Sequence, residues 1–128
     1  MGEDDVYELG MKVRREVLGD DRVDRAIAAT NEFNAGWQDY ITRTAWGTVW
    51  SRDGLDRRTR SFITLSILTA LGREEEIELH VRVALSNGLS REEISEAFLH
   101  TALYAGIPVV RTAFAIAERV FAEDAPES

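Results

Sequence analysis

The chain of 128 residues has no cysteine, two prolines and two histidines. Without cysteine there is no disulfide, no thiolate ligand for a metal, no thiol nucleophile and no CxxC redox pair. Chemistry must use oxygen and nitrogen groups. With histidine reduced to His80 and His100, the candidates for proton transfer near neutral pH are few. Positive charge is also scarce: 15 Lys and Arg stand against 23 Asp and Glu, for a net charge of −8. Counter-ion release at phosphates needs the opposite sign, so nucleic acid is not an expected partner. No run approaches the roughly 18 apolar residues of a membrane span, and the opening Met1-Gly2-Glu3-Asp4-Asp5 is acidic where a secretory leader is basic. A cytoplasmic location is expected.

What is present is a globular composition, 45% apolar and 30% charged, at a length suited to one domain. A single domain over residues 1–128 is expected, with its core from about 5 to 121 and a polar tail, 122–128, that frays. No alternating strand pattern persists, so the fold class is all-α, a bundle of about six helices. The first helix runs from Asp5 to Val17 and ends before Gly19; Asp20-Asp21 caps a second, which Gly36 interrupts before helical spacing resumes at Trp37. Ser51-Arg52-Asp53-Gly54 reads as a turn. Asp56 caps a helix to Leu71 whose apolar residues point in nearly every direction, as in a central buried helix, and Gly72 ends it. A helix from Arg73 to Asn87 stops at Asn87-Gly88. Ser90 and Glu93 form a capping box for the next, which Gly106 and Pro108 close, and Pro108 fits the first turn of a last helix to about Phe121.

Placed on a helical wheel with Ile77 at zero, the apolar stripe of the Arg73–Asn87 helix centres near +20°, His80 falls at about −60° and Glu76 at about −100°. His80 therefore flanks the core. Glu76 sits four residues before it, where a carboxylate can orient an imidazole and raise its pKa toward physiological pH, or merely pair with it for stability. On the following helix His100 and Tyr104 line the flank of the stripe beside Glu93; the plainer expectation leaves Glu93 in its capping box, His100 half exposed and Tyr104 in the core. The pairs Glu76/His80 and Glu96/His100 share the E-x-x-x-H spacing, but bundle di-metal sites use Glu-x-x-His, and no metal is expected. Between Ile41 and Ser61 five arginines (Arg43, Arg52, Arg57, Arg58, Arg60) face two aspartates, a local charge of +3 in an acidic chain. Beside Trp46 and Trp50 such a cluster suits a small anionic, partly apolar ligand, or else pairs with acidic groups on the surface or across a subunit boundary.

The segments Gly10 to Gly19 (GMKVRREVLG), Ile41 to Gly47 (ITRTAWG), Gly54 to Ser61 (GLDRRTRS), Glu78 to Arg82 (ELHVR) and Tyr104 to Pro108 (YAGIP), in this order, resemble the gamma-carboxymuconolactone decarboxylase family over residues 5 to 120. The resemblance implies the alkylhydroperoxidase-D-like helical fold, a ring-shaped homo-oligomer, a hexamer, no cofactor, and a place in the protocatechuate branch of the beta-ketoadipate pathway. Peroxidase members of that superfamily carry CxxC followed by a histidine. His80 is the counterpart of that histidine, while the cysteine positions hold Arg73 and Glu76, which leaves the decarboxylase branch. Asp53, Thr44 and Arg111 depart from the family's usual residues.

The family's substrate is an unsaturated lactone with two carboxylates. Electrons left by the departing carboxylate spread through the ring double bond to the lactone carbonyl, and protonation at carbon gives the enol-lactone. The resemblance thus implies His80 as proton donor or oxyanion partner, with Glu76 orienting it. Arg43, Arg57 and Arg60 are candidates for the distal carboxylate and Trp46 for an apolar wall, with His100 and Tyr104 also against the substrate. A different expectation, motivated by the departures, is a non-catalytic small-ligand or scaffold oligomer on the same fold.

Overall fold

Three acidic residues, Glu3, Asp4 and Asp5, open the first helix, where the unpaired N–H groups favour negative charge. The computed structural model describes residues 2–123; the expected fraying tail beyond Glu123 lies outside them. Among the described residues the fold is all-α, with seven α-helices and one π-helix. Among the described residues no helix is long and apolar enough to cross a membrane. The chain divides into two compact units, Met1–Leu55 and Asp56–Ser128.

In the first unit α1 spans Glu3–Leu18 and α2 Asp20–Ala28. Gly19, at φ +90°, lies between them as the C-cap of one and the N-cap of the other, a conformation a side chain would strain. Asp20 and Asp21 therefore lie inside the first turn of α2 and do not cap it, and Asp20 joins Asp24 in holding Arg15, at 3.0 and 2.9 Å. The interruption expected at Gly36 falls earlier. Asn31 Oδ1 accepts from the amides of Phe33 and Asn34, and Asn34 returns a hydrogen bond from its amide group to the Ala29 carbonyl, so two asparagines build the bend. Gly36 instead sits within α3 (Ala35–Ile41), which passes directly into the π-helix Thr42–Trp50.

That π-helix lies along α1 at backbone contact. A Cβ added at Gly10 would stand 2.1 Å from the Thr42 carbonyl oxygen and 3.0 Å from the Gly47 nitrogen, and one at Gly47 would stand 2.6 Å from the Val6 carbonyl oxygen. The wide i→i+5 turn brings Thr42 and Gly47 to one edge, and that edge meets the bare side of Gly10. Trp46, only 7% exposed, packs its ring 5.4 Å from that of Trp50.

The second unit holds α4 (Arg57–Leu71), α5 (Glu74–Ser86), α6 (Arg91–Ala105) and α7 (Ile107–Glu123). Its boundaries follow the caps. Asp56 accepts from the Thr59 amide at 2.7 Å, Gly72 stops α4 in the left-handed region, and the Ser90/Glu93 capping box closes with bonds of 2.9 and 3.0 Å. Pro108 occupies the first turn of α7, where its missing N–H is not needed. The core comprises Leu65, Ile77, Val81, Ile94, Phe98 and Ile116, each at most 2% exposed, and each contributing about 1.5–3 kcal/mol by burial. Phe98 meets Phe114 edge to face at 5.2 Å.

Two expectations are corrected here. Helix α4 is not buried all round: Ser61, Leu65 and Thr69 form its inner face, while Ile63, Ile67 and Leu71 are exposed. Tyr104 is not in the core either but 83% exposed, because the inward face of α6 is already filled by Ile94, Ala97, Phe98 and Thr101.

Candidate active site

Helix α5 positions His80 by its apolar stripe. Ile77 and Val81 are buried almost completely, which fixes the helix rotation and leaves His80 half-buried on the flank, with Nδ1 shielded from solvent. Glu76 stands one turn earlier, exposed in the acidic first turn of α5. Arg57 and Arg60 are half-buried in the first turn of α4. On α6, His100 and Tyr104 are both exposed, their rings 5.6 Å apart and tilted by 43°.

The other two expected site residues, Arg43 and Trp46, belong to the first unit and lie one turn apart on the π-helix. Arg43 donates from Nε to Asp39 at 2.9 Å and from Nη1 to the Glu3 carbonyl, and lies over the Tyr7 ring. The hydrogen bond to Asp39 is the main reason its pKa lies above the usual arginine value. Trp46 is a packing residue of this unit, as its burial shows.

The arginine cluster separates by role. Arg58 ties α4 to the start of α6 by donating to Glu93 and to the Gly88 carbonyl. Glu93 is thereby spent: the Ser90 amide first, then Arg58, hold its carboxyl below the ordinary glutamate pKa. The pairing expectation for these arginines thus holds for Arg58 and Arg43, and Arg52, Arg57 and Arg60 have interaction partners as well. Among the described residues no three or more His, Asp or Glu gather as a metal site would require.

One charged residue escaped the sequence reading. Arg14 is 6% exposed and borders a cavity of the first unit of about 500 Å3. Its signal was available: Gly10, Val13, Arg14 and Val17 share one helical face and are all buried.

These features define the class, an all-helical protein with a half-buried histidine and two half-buried arginines in its second unit. Comparison with known proteins narrows it. The sequence pattern of the carboxymuconolactone decarboxylase family matches residues 35–119. The chain is 46% identical over 121 residues to 4-carboxymuconolactone decarboxylase of Acinetobacter baylyi, covering 94% of this chain and 90% of that protein. It is 44% identical over 103 residues to nitrosuccinic acid decarboxylase npaB of Metarhizium robertsii, covering 80% of this chain and 72% of the relative. A 4-carboxymuconolactone decarboxylase of Pseudomonas putida is 51% identical over 47 residues, 37% of this chain and 98% of that sequence. The chain belongs to the carboxymuconolactone decarboxylase family.

Proposed function

We propose that the protein decarboxylates gamma-carboxymuconolactone to beta-ketoadipate enol-lactone and carbon dioxide without a cofactor, as a cytoplasmic enzyme of protocatechuate catabolism. The likeness to the Acinetobacter enzyme across almost the full length of both chains carries this reading. In the reaction the bond to the leaving carboxylate breaks, its electron pair moves through the ring double bond onto the lactone carbonyl, and the resulting dienolate takes a proton at carbon. The substrate is its own electron sink, so the protein's tasks are positioning, oxyanion stabilisation and proton delivery. His80, shielded at Nδ1 on the flank of the core, is assigned the proton, and Glu76 its orientation. Arg57 and Arg60 are assigned the distal carboxylate. An arginine against the leaving carboxylate would stabilise the ground state and slow its loss. Arg43 and Trp46 lie in the other unit, and the assignment is carried by residues of the second unit.

The test is turnover of the purified protein, followed by loss of the lactone and release of carbon dioxide. Full activity is expected after exhaustive chelation and with nothing added, since the electron sink is in the substrate. The 44% identity to a nitrosuccinic acid decarboxylase makes nitrosuccinate the second substrate to assay. Faster turnover of nitrosuccinate would replace the lactone in this reading, and no turnover of either would favour the non-catalytic oligomer. Recovery only on adding metal would overturn the cofactor-free mechanism.

The same reading includes a homo-oligomer, a hexamer. Ile63, Ile67 and Leu71, at four-residue intervals on α4, stand 44%, 52% and 60% exposed, and a closed symmetric assembly would cover such a stripe without leaving an open edge. Light scattering is expected to give several times the 14.4 kDa chain mass, and Ile67→Glu, which places a charge in the stripe, is expected to lower it. A wild-type monomer at micromolar concentration contradicts this.

A further inference from the structure

We propose that the first unit contains a binding site for a small carboxylic acid, with Arg14 as its anchor. Burial of a guanidinium calls for a negative partner. Arg14, 6% exposed, has none: its Nη1 donates to Thr42 Oγ1 at 3.2 Å and its Nη2 to Gln38 Oε1 at 2.9 Å, both neutral groups. Its Nε is shielded from solvent and makes no hydrogen bond. Among the described residues no carboxylate pairs with it. Burial lowers its pKa from the usual value, and a guanidinium is the side-chain cation that keeps its charge in proteins.

The space beside this charge fits a ligand. The cavity of about 500 Å3 falls within the roughly 300–1,000 Å3 typical of small-molecule sites. Met11, Ile27 and Ala35 supply apolar wall. Gln38, with its oxygen turned to Arg14, keeps its amide N–H groups for a second contact. The other charged lining residues are Arg43 and Asp39, paired with each other at 2.9 Å, so the cavity carries one net positive charge, that of Arg14. One charge beside apolar wall selects a carboxylate on an apolar body over inorganic anions, which would leave the wall wet.

Local sequence builds the site. Gly10 admits the π-helix to backbone contact with α1, and Arg14, one turn further along the same face, then reaches the Thr42 hydroxyl. That hydroxyl is itself held by donating to the Gln38 carbonyl at 2.7 Å.

The test is calorimetric titration of the full chain with benzoate, with benzamide and chloride as controls at constant ionic strength. It includes no turnover measurement, so its result is independent of the decarboxylase reading. Benzoate is expected to bind at least tenfold more tightly than benzamide, and Arg14→Gln to weaken benzoate by at least tenfold. Because a buried substitution can disturb folding, Asp39→Asn provides a second arm. Asp39 is half exposed, and removing the only carboxylate of the lining is expected to tighten benzoate about threefold, a gain that a folding defect does not produce. Equal binding of benzoate and benzamide, or benzoate affinity unmoved by Asp39→Asn, overturns the proposal.

Discussion

Gly10→Ala is expected to cost about 3 kcal/mol, the upper end of the range for forcing an extra methyl into a packed contact. The new Cβ would lie 2.1 Å from a backbone carbonyl oxygen and 3.0 Å from a backbone nitrogen, and neither can rotate aside as a side chain would. Helix α1 would have to lift from the π-helix, setting Arg14 away from Thr42. Gly36→Ala is the control: no atom lies within 4 Å of its added methyl. Within α3 it is expected to be neutral or to stabilise by up to about 1 kcal/mol through helix propensity. Urea unfolding midpoints compare the two. A Gly10→Ala protein within about 0.5 kcal/mol of wild type would show that the two helices are not held at backbone contact.

His80→Ala is expected to lower kcat on the lactone by at least about a hundredfold, the lower scale for losing a positioned general acid, with KM changed far less. The side chain is half-buried on a helix whose register is set by Ile77 and Val81, so circular dichroism and oligomer mass are expected to stay as in wild type. His100→Gln, at an exposed position beside Tyr104, is expected to be much milder. Near-normal kcat for His80→Ala would remove this residue from the mechanism, and an equally severe His100→Gln would move the proton to α6.

How far the sequence could be read depended on whether a signal was local. The starts of α4 and α6 were legible because Asp56 and Ser90 with Glu93 act on amides within their own first turn, and that of α7 because Pro108 lacks an N–H where none is needed. The bend at Asn31 and Asn34 was passed over because Gly36 is the more familiar breaker, although paired asparagine side chains do the work. The π-helix had no local signal, since the feature that accompanies it is a neighbouring helix with a glycine at the right height. Apolar residues all round α4 and on two faces of α6 were legible as composition, but composition does not distinguish a face packed within the chain from one left bare, as Ile67 and Tyr104 illustrate. His80, as one of only two histidines, was found by elimination. Arg14 was overlooked because charge was counted along the chain and not around the helix, where its place on the apolar stripe is plain.

The wide turn at Thr42–Trp50 also makes the chain sensitive to length as well as to composition. With all its residues kept, the segment could close into an ordinary α-helix of better local geometry only by changing the phase between Thr42 and Gly47. Because residue i+5 of a π turn takes the place of residue i+4 of an α turn, Gly47 and every later side chain of that segment would then be turned by about 100° relative to Thr42. Gly47 would swing away from Val6 and a bulkier neighbour would meet α1 in its place. An α-helix with better hydrogen bonds would thus dismantle the contact it serves unless one residue were removed as well, the change in length that would bring Gly47 back to the edge facing α1.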